Sequence, residues 1–203
     1  MDAFEAIMTR RSTRKYLPYP PEREKLEKIL QAGRYAPSGS NAQTNHFFAV
    51  TDAKIIDRLA SLVLQAFAKM EISEGMNKSL RYSVTQSKKG KYRFCYNAPV
   101  LVIIANRRDC GNNFADAAVA CENMMIAANA CDLGSCYINQ LRWLNEDPEL
   151  VKYMLSLGMA EDERVYASLI LGYPDTESGL PERTPLGRNG NEISYITDGE
   201  DIK

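Results

Sequence analysis

The sequence predicts an α+β protein. Amphipathic segments with apolar residues at helical spacing are interspersed with short apolar runs rich in β-branched residues. No internal repeat and no linker interrupts them, so we expect a single domain spanning residues 1–203. A chain of this length can bury a sizeable hydrophobic core.

The N-terminal segment predicts a short helix. Asp2 and Glu5 have the spacing of a capping box. Phe4, Ile7 and Met8 then fall on one face of that helix.

Eight further regular elements and two irregular ones follow from periodicity and turn residues. Apolar stripes predict helices over residues 22–35 and 53–70, and an Asp-Pro cap predicts another over 147–157. Apolar runs predict strands, and Gly, Pro and Ser mark a turn. The strands are expected at residues 47–51, 99–105, 134–139, 165–171 and 193–196, the turn at 36–43, and an extended tail after 174.

Two segments allow alternative interpretations. Residues 71–91 are polar and lysine-rich, which favours a solvated loop but is also typical of a mobile lid over a site. Residues 113–131 predict a helix that is apolar on nearly every face. Such a helix is buried on all sides, either at the centre of the domain or against a second subunit.

Composition excludes several classes of function. The chain has 25 basic and 26 acidic side chains, so it offers no overall field for nucleic acid or an anionic membrane. No apolar run reaches transmembrane length, and residues 1–8 do not resemble a signal peptide. Five cysteines without a C-x-x-C pair, and one histidine, argue against a metal site and favour buried thiols in a reducing cytoplasm.

A basic loop follows the first helix. Arg10, Arg11, Ser12 and Arg14 place three guanidinium groups and a hydroxyl within five residues. Arginine binds a phosphate dianion through paired hydrogen bonds, and it remains charged at all ordinary pH values. Taken alone, such a loop is more often a solvated surface.

A polar loop follows the second helix. Residues 37–43 supply side-chain amides, two serine hydroxyls and a flexible backbone, which suit the polar edge of a heterocycle. The candidate binding residues are Pro37, Ser38, Gly39, Asn41 and Gln43. Taken alone, it is a helix-terminating loop.

Together the two loops resemble the nitroreductase family. Its members show R-x-S-x-R after the first helix, then A-P-S-x-x-N-x-Q about two dozen residues later, then an aromatic strand. Residues 97–99, 116–138 and 169–174 also match in the correct order. The chain departs from the pattern at Thr44 and Asn45, where Pro-Trp or a similar pair is common.

The resemblance implies a central, mostly antiparallel sheet flanked by helices, in an intertwined homodimer with two interfacial FMN sites. The basic loop would come from one subunit and the polar loop from the other. Arg183 would contact the flavin phosphate, with Arg188 a weaker candidate; Lys91 and Arg93 are more typical of surface charge. The backbone facing flavin N5 and O4 would belong to Tyr137, Ile138, Asn139 and Gln140. Many members have glycine at the position of Gln140.

The implied activity is FMN-dependent oxidation of NADH or NADPH, with hydride transfer at flavin N5. The reduced flavin would then pass electrons, in a ping-pong mechanism, to a nitroaromatic, a quinone or another electron-poor small molecule. No catalytic side chain is then required. The absence of G-x-G-x-x-G leaves the nicotinamide preference open. The alternatives are a dehalogenase, azoline oxidase or flavin-cleaving enzyme of the same fold, or a flavin-binding protein without turnover.

Overall fold

The computed structural model describes residues 1–196. Its helices are α1 (Ala3–Thr9), α2 (Arg23–Arg34), α3 (Ala53–Lys69), α4 (Lys78–Lys88), α5 (Asn113–Ala130), α6 (Gln140–Trp143) and α7 (Pro148–Ser156). Its strands are β1 (His46–Val50), β2 (Val100–Arg107), β3 (Gly134–Ile138) and β4 (Glu163–Gly172). A short 3₁₀ turn covers Gly39–Asn41.

The four strands form one antiparallel sheet in the order β1-β2-β4-β3. This confirms the expected α+β architecture with a central antiparallel sheet. β3 lies at an edge, where Gly134 pairs with Gly172 and Ile138 with Ser168. Its outer side is therefore available to the chain that follows α1.

Strand β2 is buried on both faces, which explains its lack of polar alternation. Alternate side chains such as Val102 pack with α2 and α5, whereas Leu101 and Ile103 pack with α3 and α7. Two hydrophobic layers therefore enclose the sheet.

Side-chain caps begin the helices where the sequence predicts them. The Asp2 carboxylate accepts a 2.8 Å hydrogen bond from the backbone N–H of Glu5. At the start of α7, Asp147 accepts a 3.0 Å bond from the N–H of Leu150, and Pro148 occupies the first turn. Each cap satisfies a donor that the helix itself leaves free.

The prediction of a loop over residues 71–91 is wrong, because α4 occupies half of it. Asn77 caps this helix by accepting a 2.9 Å bond from the N–H of Leu80. Ser83, Val84 and Ser87 are buried, with Val84 in the same core cluster as α3. Two of these three side chains are serines, so the buried face gives no apolar stripe in the sequence.

The predicted strand at residues 193–196 does not form in the described chain, where that segment has no paired neighbour. Ile193, Tyr195 and Ile196 are exposed. None of the helices within residues 1–196 is long and apolar enough to cross a membrane.

Two helices keep apolar surface uncovered. The predicted face of α1 points outward, and Phe4 is 76% exposed. On α5, Met124 and Ala128 are buried, but Phe114 and Val119 are exposed. The sequence predicts that α5 is buried on all sides, but the single chain leaves part of its apolar surface exposed. An apolar surface of this kind is typical of a protein interface.

Candidate functional site

The basic loop lies along edge strand β3. Ser12 forms a parallel bridge with Ser135, and the N–H of Thr13 donates a 2.9 Å bond to the Ser135 carbonyl. This approach requires glycine at position 134, since a Cβ there would lie 2.5 Å from the Thr13 hydroxyl oxygen. Tyr16 secures the far side of the loop by donating a 2.6 Å bond to the Thr13 carbonyl.

Beyond this contact, Arg14 enters a cavity of about 560 Å³. The cavity has aromatic and cationic walls, and its lining contains no aspartate, glutamate or histidine. It is lined by Arg14, Asn77, Lys78, Ser79, Tyr82, Ser83, Tyr92, Tyr96, Cys136, Tyr137, Ile138, Asn139, Gln140, Arg142 and Trp143. A volume of this size suits a small-molecule cofactor together with part of a substrate.

The cavity therefore joins the predicted residues Arg14 and 137–140. The guanidinium of Arg14 lies 5.9 Å from the centre of the Tyr96 ring. It has no carboxylate within ion-pairing distance among residues 1–196. Its charge is thus available to a ligand rather than neutralised by the protein.

Burial favours the neutral form of two groups in the cavity wall, Tyr137 and Cys136. It raises the pKa of the Tyr137 phenol, although the nearby Arg142 opposes the shift. It also raises the pKa of the Cys136 thiol, against the opposing effects of Arg14 and a hydrogen bond with Ser12. The cations are therefore the only charges that the cavity lining presents within the described chain.

A hydrogen-bond relay fixes one corner of the cavity. Ser83 donates to the Ser79 carbonyl at 3.0 Å, and its oxygen lies 2.8 Å from the Tyr92 oxygen. The Tyr92 phenol oxygen therefore contacts the hydroxyl of Ser83 and accepts a 2.7 Å hydrogen bond from Gln140 Nε2. Gln140 Oε1 is left buried without a partner in the described chain. Burial raises the pKa of Tyr92, which keeps its phenol protonated.

The polar loop lies elsewhere in the chain. Pro37, Asn41 and Gln43 line a separate depression with residues of α2, and Ser38 lines another with Gln43. Ser40, Asn41 and Gln43 have positive φ, so this loop adopts a left-handed conformation over several residues.

Asp116 attaches the polar loop to α5. Its buried carboxylate accepts a 3.1 Å bond from the N–H of Gly39. Asn45 donates to the Asp116 carbonyl at 3.0 Å and accepts from Asn106 at 2.9 Å. The amide of Asn45 therefore connects the loop to β2 and α5.

The other predicted arginines have partners within the protein. Arg10 pairs with Glu122 at 3.5 Å, and Arg11 donates to the Thr184 carbonyl at 3.0 Å. Arg183 donates 2.6 Å bonds to the Asn129 carbonyl and to the Asp132 carboxylate, at the C-terminal end of α5. The structure does not bring Arg183 into the cavity.

The remaining charged candidates lie on the surface. Arg93 pairs with Asp57, Lys91 is exposed, and Arg188 donates a hydrogen bond to the carbonyl of Leu186. The positions of Lys91 and Arg93 agree with their interpretation as surface charge, and Arg188 does not line the cavity.

Sequence reasoning missed a large share of the cavity wall. Asn77, Lys78, Ser79 and Ser83 enter it through α4, which the sequence did not reveal as a helix. Arg142 and Trp143 follow the predicted strand directly, and that proximity was the available signal.

The fold is that of an α+β protein with an antiparallel sheet. Its edge strand holds an arginine-bearing loop beside a tyrosine-rich cavity, an arrangement that suits a planar, anionic small molecule. A sequence model described as the nitroreductase family matches residues 7–173. The chain belongs to that family.

Individual relatives agree with this membership. A solved nitroreductase with bound FMN from Bacteroides fragilis is 35% identical, covers 98% of this chain and 100% of its own, and has a TM-score of 0.80. An NADPH-flavin oxidoreductase of Vibrio harveyi is 24% identical over 96% of this chain and 75% of its own. A nitrobenzene nitroreductase of Ectopseudomonas oleovorans is 25% identical over 88% of each chain.

Proposed function

We propose that this protein is an FMN-dependent oxidoreductase that takes electrons from NADH or NADPH and reduces nitroaromatics, quinones or similar electron-poor acceptors. The observation that carries the proposal is the position of Arg14, an unneutralised cation in an aromatic cavity beside the end of β3. The family membership and the relatives named above support it.

The residues present fit FMN. Ser12 and Ser135 lie together at the basic loop, and the buried Ser135 hydroxyl has no hydrogen-bond partner among residues 1–196. Both hydroxyls would bind the phosphate together with Arg10 and Arg11. Arg14 would stabilise negative charge on the reduced ring system. The polar loop and residues 137–140 would provide the remaining predicted contacts with FMN.

The protein's own contribution is binding and the exclusion of water. When bound, FMN would supply the hydride chemistry. The cavity lining of the described chain contains no carboxylate or imidazole to act as a general acid or base, and the single histidine pairs with Glu163 elsewhere. The aromatic walls would hold planar reactants against one another.

We also propose a homodimer. The uncovered apolar faces of α1 and α5 need a partner surface. In the described part of one chain, the polar loop and Arg14 line different cavities, and a second subunit would bring its polar loop to Arg14. All five cysteines are free, which supports a location in a reducing cytoplasm.

The decisive experiment uses the purified protein. We expect a yellow protein whose flavin absorbance bleaches anaerobically with NADH or NADPH and returns on addition of a nitroaromatic or quinone. A colourless protein that cannot be reconstituted with FMN would contradict the proposal. Bound flavin that neither nicotinamide reduces would instead indicate a flavin-binding protein without turnover.

A further inference from the structure

Arg142 has a half-buried guanidinium without a polar partner. Its side chain forms no hydrogen bond and no ion pair with any other residue in the range 1–196, and its Nε is buried. The guanidinium carbon lies 4.7 Å from the centre of the Phe114 ring. Stacking of this kind positions an arginine but leaves its N–H donors unused.

Most other arginines of the described chain, unlike Arg142, have a carboxylate partner. Ion pairs with carboxylates within 4 Å are formed by Arg10, Arg23, Arg93, Arg107, Arg108, Arg164 and Arg183. A partly desolvated cation without a counter-charge is costly, so its persistence in a cavity wall indicates a site for an anion.

The surroundings of Arg142 favour a planar, anionic ligand. It shares the cavity with aromatic side chains that include Trp143 and Tyr137, and the lining has no carboxylate to compete for it. Arg14 reaches the cavity from the loop after α1 and is already assigned to the cofactor, whereas Arg142 belongs to α6. Arg142 is therefore available to bind a reactant other than the cofactor.

We propose that Arg142 is a specificity-determining residue that binds an anionic substituent, such as a carboxylate, on an electron-poor aromatic acceptor. The inference rests on the proposed function and narrows its acceptor class. Hydrogen bonds from a guanidinium to a carboxylate contribute about 1.5–3 kcal/mol each, which corresponds to roughly a 10- to 150-fold change in affinity.

The test compares two acceptors of nearly equal shape, 4-nitrobenzoate and the neutral 4-nitrobenzamide, on the FMN-loaded protein. In Arg142→Gln, we expect kcat/KM for 4-nitrobenzoate to fall at least about tenfold, while the value for 4-nitrobenzamide changes less than about twofold. Arg142→Lys should retain part of the preference. Arg58→Gln is the matched control, because Arg58 is exposed, lies 6.0 Å from the Tyr153 ring and does not line the cavity.

A second measurement does not depend on turnover. Benzoate, which the enzyme cannot reduce, should perturb the absorbance of bound flavin with a Kd that rises at least about tenfold in Arg142→Gln and is unchanged in Arg58→Gln.

Equal losses for both acceptors would overturn the inference. So would the loss of FMN from Arg142→Gln, which would assign Arg142 to the cofactor. A raised KM for NADPH but not NADH would assign it to the adenosine 2′-phosphate that distinguishes NADPH. If the wild-type flavin is reduced normally but Arg142→Gln leaves kcat/KM for 4-nitrobenzoate unchanged, this inference alone is refuted. A protein that binds no flavin refutes the proposed function.

Discussion

Gln140 Nε2 donates a 2.7 Å hydrogen bond to the phenol oxygen of Tyr92, 48 residues earlier in the chain. This bond joins the end of β3 to the segment that follows α4. It also determines which end of the amide remains unpaired, since Oε1 is buried without a partner in the described chain. The amide of Gln140 is therefore fixed at the cavity wall through its nitrogen.

Tyr92→Phe should destabilise the protein. The substitution keeps the ring but leaves Gln140 Nε2 and the Ser83 hydroxyl without their shared partner, at a cost of about 1–3 kcal/mol in the free energy of unfolding. Urea denaturation measures the change. Tyr82→Phe, at an exposed position, should cost less than about 0.5 kcal/mol, and equal effects would contradict the relay.

Arg14→Ala should weaken cofactor binding. Loss of a charge-assisted contact of about 1.5–3 kcal/mol raises the FMN Kd at least about tenfold. Titration of the apoprotein by quenching of flavin fluorescence measures it. Arg23→Ala is the control, because Arg23 pairs with Glu27 on the exposed side of α2. An unchanged Kd for Arg14→Ala would remove Arg14 from the cofactor site.

Gly134→Ala should displace the basic loop. The new Cβ would lie 2.5 Å from the Thr13 hydroxyl oxygen, so the loop must move away from β3. We expect a loss of about 1–3 kcal/mol in stability together with weaker FMN binding. In Gly75→Ala the Cβ meets nothing within 4 Å, and both quantities should remain near the wild-type values.

Phe4→Asp should dissociate the proposed dimer, because it places a charge in the uncovered apolar face of α1. Analytical ultracentrifugation should show a shift toward monomer at micromolar concentration. Ala53→Asp adds the same charge in the exposed first turn of α3 and should leave the assembly intact. A fully dimeric Phe4→Asp protein would exclude this face from the interface.

Stability should decline at alkaline pH. Burial raises the pKa of the Cys95, Cys121 and Cys136 thiols in the folded protein, whereas a thiol in the unfolded chain has a pKa of about 8.5. The folded state then holds these protons more tightly, so their contribution is fully present below about pH 8.5 and is lost as pH rises through the folded values.

Urea denaturation under reducing conditions checks this dependence. Above about pH 8.5 each shifted thiol should remove up to about 1.4 kcal/mol of unfolding free energy per pH unit. Cys121→Ala should show a shallower decline. A wild-type curve that stays level between pH 7 and 9.5 would contradict the prediction.

Local chemistry in the sequence determined most of the elements and about a third of the residues that line the cavity. The capping carboxylates of Asp2 and Asp147, and the unbroken apolar run of β2, act within a few residues, so their consequences can be predicted without a fold. The basic loop and the residues 137–140 were likewise identifiable from their order in a family pattern.

Only the tertiary structure decided which of these residues meet. It formed α4 from a polar segment, because Val84 finds a core that lies far away in sequence. It paired Arg183 with Asp132 but left Arg142 without a counter-charge among residues 1–196. Packing between distant segments determines burial and ion pairing, and no short pattern in the sequence records those contacts.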